Sequence, residues 1–286
     1  MTTERSCPPP VVDRAVLQKE IDAIPHEPMG GYFEGTADVA ALNAKYVALA
    51  RLDIAFDKVK REVSETIVTD KPAVWFVYNM GTVVKTRKAL FSIDLCHPRG
   101  HELVPILDFA IITHNHPDHF TKALYDGMDR AHKTVVNNFI DNYGAAFHEG
   151  GVGGFTRGER TYALCDTVVR TFQTNHNRHL IGYTMPVEVD CGGWSLVHSG
   201  DTHNVQDIHP LRRPDLWVHH AYCCGLLSGI GAVHLKPGLT VVAHLHELHH
   251  PKDDARFTFA EGETAKAAVE KVGRRAIVPH WGDRIA

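Results

Sequence analysis

The chain has 286 residues, of which 44% are hydrophobic and 22% charged, and this is typical of a globular protein with a sizeable core. The net charge of −4 and the pI near 6.6 argue against a broad surface for nucleic acid. The sequence contains no run with the length of a membrane span and no apolar segment of signal-peptide type. Its six cysteines show no C-x-x-C pairing, so we expect a reduced, cytoplasmic setting.

The first 66 residues predict a helical extension. Apolar residues recur at helical spacing over 11–24, a Pro- and Gly-containing stretch follows, and a second helical segment runs from about Thr36 to Thr66. The second segment has apolar residues on more than one face, so it needs burial on two sides. We expect it to pack against the remainder of the chain or against another subunit, which would make a homo-oligomer.

From residue 67 onward, short strands alternate with helices. The helices are predicted near 101–106, 121–130 and 261–272. The strands are predicted at 74–78, 82–86, 89–95, 107–112, 168–174, 182–189, 194–199, 239–243 and 276–279. Strands mixed with helices in both halves indicate a two-sheet sandwich with outer helices.

Three histidines and an aspartate lie within six positions of each other directly after the strand at 107–112. They are His114, His116, Asp118 and His119. Protonated imidazoles this close would repel one another, whereas a divalent transition metal binds neutral imidazole and carboxylate. His114 and His116 are two residues apart and face the same side of an extended turn, and Asp118 and His119 can face a second metal.

The pattern His-x-His-x-Asp-His after a hydrophobic strand resembles the signature of the metallo-β-lactamase superfamily, over roughly residues 70–286. The resemblance implies an α/β fold, an αββα four-layer sandwich of two mixed β-sheets with outer helices, and a dinuclear metal site at one edge of the sheets. We therefore predict an N-terminal helical extension at 1–66 and a catalytic domain at 67–286.

Later residues resemble the remaining motifs of that superfamily in the right order. His176, which follows the run 168–174, resembles the third motif, with His179 as its rival. Asp201 in Ser-Gly-Asp-Thr resembles the fourth motif, whose aspartate bridges both metals. His244 ends a strand and resembles the fifth motif, with His280 in Pro-His-Trp-Gly as the competitor.

Other polar residues are expected to support the ligands or to face the substrate. Asp94 occupies the place where the superfamily usually has an acidic residue that accepts an N–H from a ligating histidine. The further candidates are His179, His203, Glu247, His250 and His280.

The resemblance implies a metal-dependent hydrolase in which two divalent cations hold a bridging hydroxide that Asp118 orients. Zinc is favoured, although iron and manganese also suit these ligands. By elimination, the substrate is a small ester, lactone or phosphodiester, because no RNA-binding arm or C-terminal helical domain is visible. The alternative is a mononuclear-iron oxygenase of the persulfide-dioxygenase type, but Asp118, His119 and a fifth-motif histidine favour two metals.

Overall fold

The computed structural model describes residues 13–138, 158–221, 226–252 and 256–286. The helices in these ranges are α1 (Arg14–Asp22), α2 (Met29–Glu34), α3 (Val39–Lys45), α4 (Val47–Glu65), α5 (Lys122–Arg130), α6 (Leu226–Leu235) and α7 (Phe259–Lys271). The strands are β1 (Ala73–Phe76), β2 (Thr82–Lys85), β3 (Leu90–Ile93), β4 (Phe109–Ile112), β5 (Thr134–Asn137), β6 (Arg160–Leu164), β7 (Thr167–Thr171), β8 (Val187–Asp190), β9 (Ser195–His198), β10 (Leu216–His220), β11 (Leu239–Ala243) and β12 (Ala276–Ile277).

The strands form two mixed sheets. The first sheet has five strands in the order β1-β2-β3-β4-β5, and the second has seven in the order β12-β11-β10-β9-β8-β7-β6. In the first sheet β3, β4 and β5 are parallel, while β1 and β2 form an antiparallel hairpin. In the second sheet the strands from β9 to β12 are parallel, and those from β6 to β9 are antiparallel.

The alternation of side chains along each strand builds the layers. In β1, Val74 and Phe76 belong to the core between the sheets, together with Val218 of β10. Trp75, which points to the opposite face of β1, packs with apolar residues of α1, α2 and α4. Trp217 of β10 packs with residues of α6 and α7 on the other outer face. The predicted αββα sandwich with N-terminal helices is therefore confirmed.

The N-terminal helices share their hydrophobic core with the first sheet. The indole N–H of Trp75 donates to Glu62 Oε2 on α4 at 2.8 Å, and Lys85 Nζ donates to the carbonyl oxygen of Val63 at 2.6 Å. This contact supplies one partner for the apolar faces of α4. A second partner in another subunit, and the division of the chain at residue 66, stay predictions.

Several predicted elements differ from the observed ones. The helix expected near 101–106 is a short 3₁₀ helix at Gly100–Leu103. The expected helix over residues 36–66 is two helices, because Tyr46 has an extended backbone (φ −119°, ψ 107°) that separates α3 from α4. The expected strand over 182–189 begins only at Val187, since Pro186 has no N–H to donate and Met185 N bonds Thr113 O instead (2.9 Å). No helix in the described ranges is long and apolar enough to span a membrane.

Candidate metal centre

The predicted ligands follow the carboxyl ends of four strands. His114 to His119 follow β4, His176 follows β7, Asp201 follows β9, and His244 comes directly after β11. In the second sheet β7, β9 and β11 run in the same direction, so their carboxyl ends meet at one edge. A hydrogen bond from Met185 N to Thr113 O (2.9 Å) joins this edge to the end of β4 in the first sheet.

Two groups of metal-ligating side chains meet at this edge and share one residue. The first group is His114, His116, His176 and Asp201, and the second is Asp118, His119, Asp201 and His244. Within each group the potential ligand atoms all lie within 4.8 Å of one another. The structure therefore brings together all seven residues that the sequence proposes as ligands, with Asp201 common to both groups.

Distances to Asp201 show how closely the two groups adjoin. Asp201 Oδ2 lies 3.8 Å from His114 Nε2 and 3.5 Å from His176 Nε2 of the first group. The same oxygen lies 3.2 Å from both His119 Nε2 and His244 Nε2 of the second group. A carboxylate has two oxygens, so this residue can hold two cations at short separation.

The donor atoms fit a pair of cations because several of them are buried and have no hydrogen-bond partner. Among the described residues these include His119 Nε2, His176 Nε2, Asp118 Oδ1 and Asp201 Oδ1. A buried polar atom without a partner costs about 1–3 kcal/mol, so four such atoms at one point need a ligand. Imidazole nitrogen and carboxylate oxygen together suit zinc, iron and manganese.

Asp94 fixes the orientation of two of the histidine rings through hydrogen bonds. Its Oδ2 lies 2.9 Å from His119 Nδ1, which directs His119 Nε2 toward the second group. It also accepts the Thr113 hydroxyl proton at 2.7 Å, so Thr113 Oγ1 is left to accept from His114 Nδ1 at 3.1 Å. Both rings then present Nε2 to the cluster, which is the role that the resemblance implies for Asp94.

Burial and neighbouring charges shift the pKa values of these side chains, and the direction differs from one side chain to the next. Burial lowers the pKa of His114, and the adjacent His119 and His116 lower it further, so His114 is neutral. Burial opposes charging of His119, but the carboxylates of Asp201, Asp118 and Asp94 outweigh it and raise the pKa of that ring. Burial likewise opposes ionisation of Asp201, yet His119 and His244 hold its pKa well below the usual range. The cluster is therefore a set of carboxylates that attract positive charge.

Comparisons with known proteins identify the fold. No protein-family model matches the chain, and no curated protein matches its sequence. Among solved structures, Igni18, a metallo hydrolase from the archaeon Ignicoccus hospitalis, has a TM-score of 0.58 at 18% identity and covers 75% of this chain and 98% of its own. The metallo-β-lactamase fold protein YhfI from Bacillus subtilis has a TM-score of 0.53 at 14% identity, covering 76% of this chain and 100% of its own. The chain has the metallo-β-lactamase fold.

A third solved structure that is similar to this chain is CmlA, a diiron β-hydroxylase from Streptomyces venezuelae. It has a TM-score of 0.58 at 12% identity, and the match covers 75% of this chain and 54% of CmlA. At such identities the similarity shows the fold, and the chemistry has to be argued from the residues of this chain.

The rivals for two ligand positions lie outside both groups. His179 is exposed and accepts a hydrogen bond from Arg178 Nε at 2.8 Å. His280 Nε2 accepts from Arg14 Nε at 3.2 Å, and its ring lies 5.4 Å from that of Phe259. Arg14 of α1 thus occupies Nε2 of His280.

The remaining candidates surround the site at different distances. The His203 ring lies 6.1 Å from that of His176, and burial lowers the pKa of His203. Glu247 and His250 form a separate cluster, in which both carboxylate oxygens of Glu247 accept hydrogen bonds from His249 and His250.

In this metallo-β-lactamase fold, the loop that follows His244 is held by the N-terminal helices. Arg256 donates to the carbonyl oxygens of Glu247 (3.1 Å) and His250 (2.9 Å), and also to Ile24 O after α1 (2.9 Å). Phe33 of α2 stacks on His249 with ring centroids 4.4 Å apart. The N-terminal helices therefore contact the loop that begins at the proposed ligand His244.

The sequence did not indicate several residues beside the ligands. His220, at the end of β10, has Nε2 3.7 Å from Asp201 Oδ2 and its ring 4.0 Å from that of His244. The Tyr183 ring lies 5.1 Å from that of His116. Asn79, in the turn after β1, bonds Asp118. The apolar run Leu-Trp-Val before His219 and His220 is a signal of a strand end that would have indicated His220.

Proposed function

We propose that the protein is a hydrolase with a dinuclear metal centre. His114, His116 and His176 would hold the first ion, Asp118, His119 and His244 the second, and Asp201 would bridge the two. The observation that carries the proposal is the pair of donor groups that share Asp201 and retain buried, unpartnered donor atoms. Two divalent ions would lower the pKa of a bound water from 15.7 toward about 7 and polarise the bond to be cleaved.

The two groups of proposed ligands differ in their exposure to solvent. All members of the second group are buried, whereas His116 is partly exposed and the His176 side chain is 17% exposed. A substrate therefore approaches from the side of the first group, where Tyr183 and His203 also lie. Asp118, which lies in the second group beside the shared Asp201, would orient the attacking water or carry its proton.

The substrate class that we propose is a small ester, lactone or phosphodiester. The net charge of −4 does not favour a polyanionic substrate such as RNA. Only the first group opens to solvent, which favours a compact molecule that reaches the ions with one end. Zinc is the metal that we expect, since imidazole and carboxylate ligands suit it well.

The mononuclear-iron oxygenase is the alternative. An oxygenase of that type needs one group of metal ligands, whereas in this chain the second group also has four potential ligands. The likeness to a diiron hydroxylase keeps iron among the metals to be measured.

Metal quantification on the purified protein, paired with substrate assays, tests the proposal. We expect two equivalents of metal per chain and hydrolysis of at least one member of a panel of chromogenic phosphodiesters, lactones and esters. Oxygen uptake with a thiol persulfide, in protein that contains one iron per chain, would support the alternative and contradict the hydrolase.

A further inference from the structure

Asn79 occupies an unusual place in the turn between β1 and β2. It has no exposed surface, and its backbone has φ +55°, in the left-handed region. Asparagine is one of the few residues other than glycine that adopts this region readily. The turn places Asn79 at the metal edge of the first sheet, beside the residues that follow β4.

Among the described residues, the side chain of Asn79 is hydrogen-bonded to one proposed metal ligand. Nδ2 donates to Asp118 Oδ2 at 3.0 Å and to the Asp118 carbonyl oxygen at 3.1 Å. The amide oxygen Oδ1 is buried and has no hydrogen-bond partner among the described residues. Because both acceptors belong to Asp118, the amide orientation is set by Asp118, and the amide in turn fixes the rotation of that carboxylate.

The main chain of Asn79 contacts a second ligand. Its carbonyl oxygen accepts from His244 N at 2.8 Å, directly after β11 in the other sheet. His244 Nε2 in turn lies 3.1 Å from Asp118 Oδ2. One residue therefore joins the Asp118 carboxylate, at a strand end of the first sheet, to the His244 backbone, at a strand end of the second sheet. Both contacted ligands belong to the second group.

The hydrogen bonds of Asn79 do not extend to the histidines of the first group. Within the part of the chain that the structure describes, it makes no hydrogen bond to His114, His116 or His176. Asp94 differs from Asn79 in this respect, because it orients His114 of the first group, through Thr113, as well as His119 of the second. Removing the Asn79 amide should therefore affect the two ions unequally.

We propose that Asn79 is a positioning residue for the second metal ion, selective for that ion over the first. It holds the Asp118 carboxylate and the His244 backbone in register across the two sheets. The proposal rests on the dinuclear centre of the proposed function. Loss of a group that orients a metal ligand typically lowers metal affinity by about 10–100-fold, and we expect a loss of that size at one site only.

The test is Zn²⁺ binding to the metal-free full chain, measured in competition with a chelator of known affinity. Asn79→Gly removes the amide and tolerates φ +55° without strain. We expect the wild type to bind two ions, and N79G to bind the first with unchanged affinity and the second at least about tenfold more weakly. If N79G does not fold, Asn79→Ser supplies the same test, because its hydroxyl is too short to reach Asp118.

Asn138→Ala is the matched control. Asn138 is also buried, and its Nδ2 donates to a main-chain carbonyl, that of Tyr183, at 3.0 Å. N138A should keep the second ion at wild-type affinity. An unchanged second affinity in N79G, or an equal loss of both ions, would overturn the role of Asn79. A wild type that binds fewer than two ions would instead overturn the proposed function.

Discussion

The cluster of Glu247, His249 and His250 follows the metal-group residue His244 closely in the sequence, yet it differs from the metal groups in what its atoms contact. Both oxygens of Glu247 accept hydrogen bonds, from the backbone N–H groups and the imidazoles of His249 and His250. In the metal groups, by contrast, Asp118, Asp201 and His119 each keep a buried atom without a partner among the described residues.

The difference shows that an abundance of histidine does not define a metal site. The polar atoms of the Glu247 carboxylate are already hydrogen-bonded, whereas the groups that share Asp201 would be completed by the cations that we propose. The chain has 21 histidines, so the decisive signal is convergence of donor atoms that are otherwise unsatisfied.

The largest effect is expected at the residue common to both groups. Asp201→Ala removes an oxygen ligand from each proposed ion, so bound metal should fall from two equivalents to one or fewer. Hydrolysis should fall by more than about 100-fold, beyond the loss typical of a residue that only orients a ligand. Metal analysis and turnover with the best substrate of the panel provide the check, and full turnover with both metals retained would refute the assignment.

A steric change beside Asp201 should come next. A Cβ on Gly200 would lie 2.8 Å from Thr113 Oγ1 and 2.9 Å from Thr184 Cγ2, at φ +51°. Gly200→Ala should lower the free energy of unfolding by about 2–4 kcal/mol and weaken metal binding, because Thr113 links Asp94 to His114.

Gly192→Ala is the control for this substitution. Gly192 also has a positive φ (+71°), but within the described ranges no atom beyond its own chain neighbours lies within 4 Å of an added Cβ. It should cost only about 1–2 kcal/mol from backbone conformation. Equal effects of the two substitutions in denaturant unfolding would show that crowding at Gly200 is unimportant.

The satisfied cluster should respond in the opposite way to the metal groups. Glu247→Gln replaces one acceptor oxygen by an amide that faces N–H donors, so the free energy of unfolding should fall by about 1–3 kcal/mol. The protein should nevertheless retain two equivalents of metal. Loss of an ion from E247Q with little change in stability would erase the distinction between the clusters.

The smallest effect concerns an ion-pair cluster that joins α4 to the segment between β3 and β4. Hydrogen bonds from Arg99 lower the pKa of Glu102 to about 2, although burial opposes this and Lys60 assists it. The folded pKa lies below the ordinary value of 4.5, so the contribution to stability is present above pH 4.5 and is lost as pH falls toward 2.

Glu102→Gln should therefore flatten the decline of stability below pH 4.5, by about 1 kcal/mol or less because the pair is partly exposed. Unfolding curves of both proteins at neutral and acidic pH measure this difference. An identical acid dependence in E102Q and the wild type would show that this pair contributes nothing.

The sequence predicted which side chains converge because each one follows a strand end in a short local pattern. His114 to His119 lie in one such turn, and the parallel order of β9, β10 and β11 brings Asp201 and His244 to the same edge. His280 has an equally suggestive local pattern, but Arg14 of α1 occupies its Nε2, and no local pattern contains that contact.

Residues that act through tertiary contacts were not predictable in this way. Asn79 lies 39 residues from Asp118 in the sequence, and its role depends on the turn after β1 reaching the end of β4. Arg256 contacts Ile24 at a separation of 232 residues. The break at Tyr46 likewise depends on how α3 and α4 pack, because no proline or glycine occurs at that point of the sequence.

Anomalous diffraction from crystals grown with the metal found in the purified protein tests the central claim most directly. Data collected above and below the absorption edge of that metal should show two peaks, with Asp201 in contact with both and His244, not His280, beside the second. A single peak, no peak, or a peak at Glu247 would contradict a dinuclear centre built from these seven residues.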